Sequence, residues 1–181
     1  MLGKAGFVGD VSNPGRGVVR FAVGFLVLVA GLRWVVSTEA ADRMLNDPLC
    51  TLITRLSGVM LAPFGAVVVS GNRIGFDGFW VVVVEACNGV LPTTIYLAAV
   101  LAFPASWSAR VWGVAIGIPA IFALNLVRVA SLLVLGAYWP SAFEHVHIYV
   151  WQTLVVALSM AVWIFWAEYF VRPAARLGAS A

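Results

Sequence analysis

The stretch VWGVAIGIPAIFALNLVRVASLLVLGAYW, residues 111–139, decides the fold. A bilayer core of about 30 Å is crossed at about 1.5 Å per residue, so a spanning helix needs roughly 20 mostly apolar residues. This run meets that length and exceeds it. It contains Pro119, and its polar pair, Asn125 and Arg128, lies toward the far end. It predicts either one tilted or kinked helix that protrudes beyond the hydrocarbon or a break into two short pieces.

Three further apolar runs, near 18–37, 89–105 and 148–171, read as spans. The chain is 62% hydrophobic and only 10% charged, a composition that belongs in lipid. The fold class expected is mainly α, a polytopic membrane protein. It has about four transmembrane helices, a small outer-face β-hairpin and an interfacial helix. The first run has no small-residue cleavage site after it and follows Lys4, Arg16 and Arg20, so it reads as a retained anchor.

Lys4, Arg16, Arg20, Arg110, Arg172 and Arg176 all fall on one side of a four-span chain, which the positive-inside rule makes cytoplasmic. Arg33, Arg43, Arg55 and Arg73 are exceptions, partly balanced by Glu39, Asp42, Asp47 and Asp77. The expected organisation is one membrane domain over 1–181 in the cytoplasmic (inner) membrane. Tails 1–17 and 172–181 are cytoplasmic, 38–88 is an outer-face insertion, and 89–171 is the catalytic helix bundle, with 140–147 an outer connection. Trp107 and Trp112 at one boundary, and Trp139, Tyr149 and Trp151 at the other, suit interfacial belts. The expected surroundings are the lipid bilayer; no nucleic-acid patch is present.

Within the outer insertion, Pro48 to Pro63 is apolar around Arg55 and predicts an amphipathic helix in the headgroup region. Val67 to Val69, Gly71-Asn72, Arg73 to Phe76, Asp77-Gly78 and Phe79 to Val84 then alternate short β-branched runs with turn dipeptides. A small hairpin or meander follows, and its last strand delivers Glu85, Ala86, Cys87, Asn88 and Gly89 to the mouth of the second span.

Ionisable and polar groups at the edge of spans are costly unless paired or facing water, which makes each a functional candidate. Here they are Glu85, Cys87, Asn125, Arg128, His145 and His147, and the topology above gathers all six on the outer face. They are the parts of a thiol active site: a nucleophile, a base near neutral pKa and a permanent cation for an oxyanion. Asn125 and Arg128 are spaced to share one helix face. No Cys/His spacing suits a metal, and no cofactor is expected.

The phrases E-A-C-N-G at 85–89, N-L-V-R at 125–128 and F-E-H-V-H-I-Y-V-W-Q at 143–152 resemble the exosortase and archaeosortase family of membrane transpeptidases, most of all its exosortase H subgroup. The resemblance spans most of residues 65–170. It implies Cys87 as nucleophile, Arg128 as oxyanion or substrate-binding cation, and His147, or alternatively His145, as acid/base. Asn125, Glu85 and Asn88 are supporting residues. The common family phrase is C-S-G, whereas this chain reads Cys87-Asn88-Gly89, so no serine hydroxyl is available there. The family further implies substrates with a C-terminal motif, a hydrophobic helix and a basic tail. These would be cleaved at the outer face through a Cys thioester and passed to an amine or water.

Each residue also has a plainer reading. Cys50, without polar company, reads as inert packing; a Cys50–Cys87 disulfide would silence the nucleophile. Glu85 reads as a partner for Arg73 or Arg128, or as a group that tunes the histidine. The alternative to an enzyme is a non-enzymatic membrane assembly or scaffold protein, with a small transporter ranked behind it because no second polar set lies at the cytoplasmic end.

Overall fold

The computed structural model describes residues 14–171. Helix α1 (Pro14–Val36) is apolar on all sides between Arg20 and Arg33, and its Val18, Val19, Val23 and Leu26 are exposed in the isolated chain. Such a surface suits hydrocarbon, because a helix satisfies its own backbone and lipid asks for no polar cover. α1 packs along α4 (Val90–Ala102).

After α1, Thr38 caps the short α2 (Glu39–Ala41) by accepting the Ala41 N–H at 3.3 Å. A π-helical turn, Asp42–Asn46, then runs straight into α3 (Asp47–Leu61). Cys50, Ile53, Thr54, Ser57 and Leu61 form the buried side of α3, at the three- and four-residue spacing of an amphipathic helix. Leu52, Arg55, Leu56 and Val59 are left exposed. The expected helix at 48–63 is therefore present and two-faced.

Strands β1 (Val67–Ser70), β2 (Arg73–Phe76) and β3 (Phe79–Val82) form an antiparallel meander. The turn dipeptides fix its register. Gly71 takes a positive φ in the first turn, and Asp77 (φ +46°) and Gly78 (φ +88°) form the second, a pair of left-handed residues that matches the twist of a tight hairpin. The inner sheet face places Ile74, Phe76 and Val83 against Cys50, Ile53 and Leu61 of α3 and Val129, Ala130 and Leu133 of α5 (Trp107–Tyr138). Where such a layer faces water on its other side, each fully buried aliphatic side chain contributes about 1.5–3 kcal/mol.

α4 is shorter than the span expected at 89–105. It has 13 residues, or about 20 Å. Gly89, in the left-handed region, starts it, and Phe103 turns extended ahead of Pro104, whose ring disfavours helix in the residue before it. Among the described residues, three helices are long and apolar enough to cross a membrane: Gly15–Val36, Trp107–Tyr138 and Pro140–Val171. α5 is one helix of 32 residues with Pro119 inside, so the run at 111–139 is not broken in two.

The last helix differs from expectation at its start. The sequence placed 140–147 in an outer connection, but the chain is helical from Pro140: α6 (Pro140–His145), a π-helical turn (Val146–Trp151) and α7 (Gln152–Trp166) follow without a break. Pro140 occupies the first turn, where its fixed φ and missing N–H are tolerated. Both histidines therefore stand on a helix rather than in a loop.

Far from the sheet, Tyr96, Val100, Ile121 and Trp166 form a second core. The Tyr96 hydroxyl donates to Gly113 O at 2.9 Å, and Trp166 Nε1 donates to Ala109 O at 2.6 Å. Gly117 and Gly113 leave the room these rings occupy; a Cβ at either would collide with Tyr96 or Trp166. Between lipid-embedded helices, close packing on small residues and such hydrogen bonds replace the hydrophobic drive available in water.

Candidate active site

β3 runs through Val83 and Val84 into a 3-10 turn, Glu85–Cys87, closed by Cys87 N–H to Val84 O at 2.7 Å. The next two residues hold that turn against the bundle. Asn88 is fully buried: its Oδ1 accepts from Val90 N at 2.9 Å, at the start of α4, and its Nδ2 donates to Asn46 Oδ1 at 3.0 Å. Asn46, buried too, donates in turn to Asp42 Oδ1 at 2.6 Å and to Val36 O at 3.3 Å. Gly89 has φ +81°, and a Cβ there would crowd Asn125. That close approach lets Asn125 Nδ2 donate to the Cys87 carbonyl at 2.7 Å.

Cys87 is half-buried, and its Sγ lies 3.8 Å from Nε2 of His147, across a separation of 60 residues. His147 is also half-buried and has the Phe143 ring beside it at 5.7 Å. His145 is exposed and faces the Tyr149 ring at 6.0 Å; it has no contact with Cys87 among the described residues.

Arg128 lies one helical turn beyond Asn125 on α5 and is only 6% exposed. Among the described residues no carboxylate pairs with it, and its Nε has no hydrogen-bond partner; Asn125 Oδ1 is likewise unmatched. A buried cation without a counter-charge is a costly arrangement for a protein with no use for it.

Residues 12–167 match the transmembrane exosortase (Exosortase_EpsH) family, which covers most of the chain. The chain belongs to the exosortase family. Among curated proteins and among solved structures, nothing matches it. Membership in the exosortases implies a membrane cysteine transpeptidase in general terms. The matched region contains Cys87, Asn125, Arg128, His145 and His147. The position that departs from the common C-S-G phrase, Asn88, spends both ends of its amide on structure.

One sequence expectation for this exosortase changes. Glu85 pairs with Arg33 at the end of α1, at 3.2 Å, rather than with Arg73 or Arg128. Cys50 and Cys87 are both free thiols; Cys50 is buried in the core, and burial pushes its pKa up. Two residues near the turn escaped the sequence reading. Arg33 stood out only as an exception to the charge rule, and Asn46 sits in a short polar stretch before Pro48 with no periodicity to mark which side it buries.

Proposed function

We propose that this exosortase cleaves the C-terminal sorting signal of exported proteins at the outer face of the cytoplasmic membrane, through a thioester on Cys87. The observation that carries the reading is the Cys87–His147 contact of 3.8 Å, with the buried, unpaired Arg128 one helical turn beyond the Asn125 that holds the Cys87 carbonyl. In the acylation step His147 takes the thiol proton, and Sγ bonds to the carbonyl carbon of the scissile peptide. The carbonyl oxygen becomes an oxyanion, which the Arg128 guanidinium stabilises. As the tetrahedral intermediate collapses, the C–N bond breaks and His147 returns the proton to the leaving amine. An amine or water then attacks the thioester and regenerates the thiol.

Asn125 is the positioning residue for the nucleophile, because it fixes the carbonyl of Cys87 itself. His147 serves as acid/base in preference to His145, whose ring points elsewhere. The partners are substrates whose apolar helix and basic tail follow the cleavage motif, so that burial in the bilayer sets the motif's depth and supplies proximity. Both termini would then be cytoplasmic and the sheet would face the outer side.

The test is co-expression with a candidate substrate tagged at its C-terminus, using the wild-type chain and Cys87→Ala. Tag loss falls by at least about 10³-fold in the variant if Cys87 is the nucleophile. A membrane-impermeant maleimide added from outside labels Cys87 and spares Cys50. Tag loss that survives Cys87→Ala sinks the enzyme reading, and a Cys87 that resists labelling favours a scaffold.

A further inference from the structure

We infer that the free edge of β3 is the binding site for the extended segment of the substrate on the N-terminal side of the scissile bond, taken up as a fourth strand running parallel to β3. This rests on the proposed reading of Cys87 as nucleophile and adds how the peptide reaches it. The strand order is β1-β2-β3, so β3 is an edge, and among the described residues no strand pairs with its outer side. Register assigns the outward groups. Val83 N–H donates to Asn72 O at 2.8 Å, which continues the ladder of Val81 with Ile74 and Phe79 with Phe76. Backbone groups alternate between the two edges of an antiparallel strand. The N–H and C=O of Trp80 and Val82, and the N–H of Val84, therefore point away from β2.

Edges of this kind are normally blunted by a charge, a proline or a covering element, because they pair with any extended chain that meets them. This one carries none of the first two: residues 79–84 read F-W-V-V-V-V. The largest side chain does not shield it either. The Trp80 ring lies over Gly75 of β2, so closely that a Cβ on Gly75 would come within 2.8 Å of it. The ring thus folds across the sheet rather than over the edge, and Val82 and Val84 are 46% and 49% exposed.

What lies at the end of the edge names the occupant. β3 passes through Val84 into the Glu85–Cys87 turn, and the half-buried sulfur sits at its foot with His147. An extended peptide that hydrogen-bonds to Trp80 and Val82 is led to Cys87, and the apolar helix that follows its scissile bond continues as α4 does. Both chains then descend in the same sense, which makes the pairing parallel. Main-chain hydrogen bonds give affinity in such strand addition, and alternate side chains give selectivity.

The experiment uses the tagged candidate substrate as probe. In a Cys50→Ala, Cys87→Ala background, single cysteines replace Val82 or Trp80, and single cysteines are walked along the substrate upstream of the scissile bond; disulfide formation is then driven by a mild oxidant. Crosslinking at every second substrate position is expected, with the strongest position displaced by two residues between Val82→Cys and Trp80→Cys. In the otherwise unchanged chain, Val82→Pro removes one outward N–H that the sheet does not use, and KM is expected to rise about tenfold with kcat and thermal stability little altered. Crosslinks without a period of two, or confined to cysteines away from β3, overturn the inference. Crosslinks between two enzyme chains through Val82→Cys also overturn it, by giving the edge to a second copy. Processing that needs Cys87 but ignores Val82→Pro and gives no alternating crosslinks removes only the strand site, whereas processing that survives Cys87→Ala removes the enzyme reading beneath it.

Discussion

Around Trp166, side chains reach across the bundle to carbonyls of α5, Trp166 to that of Ala109 and Tyr96 to that of Gly113, and Arg110 reaches back to the Phe103 carbonyl in the link before α5. Around Cys87 the polar groups bind one another and the turn instead, through Asn46, Asn88, Asn125 and His147. The first pattern ties helices together with single donors and includes no thiol or imidazole. The second holds the Cys87 turn and its contact with His147; unmatched polar atoms occur in both, Arg110 Nε and Trp163 Nε1 in the first and Arg128 Nε and Asn125 Oδ1 in the second. Burial alone does not separate a structural polar group from a reactive one. What separates them is whether the hydrogen bonds close the group off or aim it.

The comparison is put at greatest risk by the two histidines. His147→Ala should lower processing about 10²–10⁴-fold, the usual contribution of a positioned acid/base, while His145→Ala leaves it nearly unchanged; equal losses would mean that the contact with Cys87 is incidental. Arg128→Met comes next. Processing should fall about 10²–10³-fold, as it does when an oxyanion donor is lost. Thermal stability in detergent should hold or rise, since an unpaired buried charge has been replaced by an apolar side chain of similar length. A large loss of stability would instead class Arg128 with the locking groups.

The Trp166 end makes the opposite prediction. Gly117→Ala pushes a methyl group into the Tyr96 ring and should destabilise the bundle by about 1–3 kcal/mol, read as a lowered midpoint of thermal unfolding. Activity per folded molecule should not change. The smallest effect belongs to Arg33 and Glu85, a pair about half-exposed on both sides. Arg33→Gln should cost less than about 1 kcal/mol, and exchanging the two charges should restore most of it.

Apolar run length marked α1, α5 and the last helix, and turn dipeptides marked the meander, because both signals are local. What the sequence could not show was where helices stop. α4 ends early through Phe103 and Pro104, and the last helix begins at Pro140, in a segment whose polar residues resembled a connection. The site divided in the same way. Cys87, Arg128 and His147 were legible because reactive or charged groups are conspicuous at a span boundary. Asn46 was not, since its role exists only once the π turn before α3 brings it under Asn88. Glu85 was noticed but matched to the wrong arginine: its partner lies 52 residues upstream, and no local spacing pointed there.

The wide turn at Val146–Trp151 couples residue count to chemistry. A π turn is an α-helix holding one residue more than its geometry wants, and each α-helical residue rotates the chain by about 100°. Shortening 148–151 by one residue would let the helix relax to ordinary winding with its two flanks still facing as they do, whereas one further residue, which the turn cannot take up, would rotate one flank against the other by about 100°. The imidazole would then be carried around the axis, away from the sulfur, with Cys87, Arg128 and His147 all unaltered. Insertion in this short tract should be as disabling as replacement of the histidine itself, and a single deletion much less so.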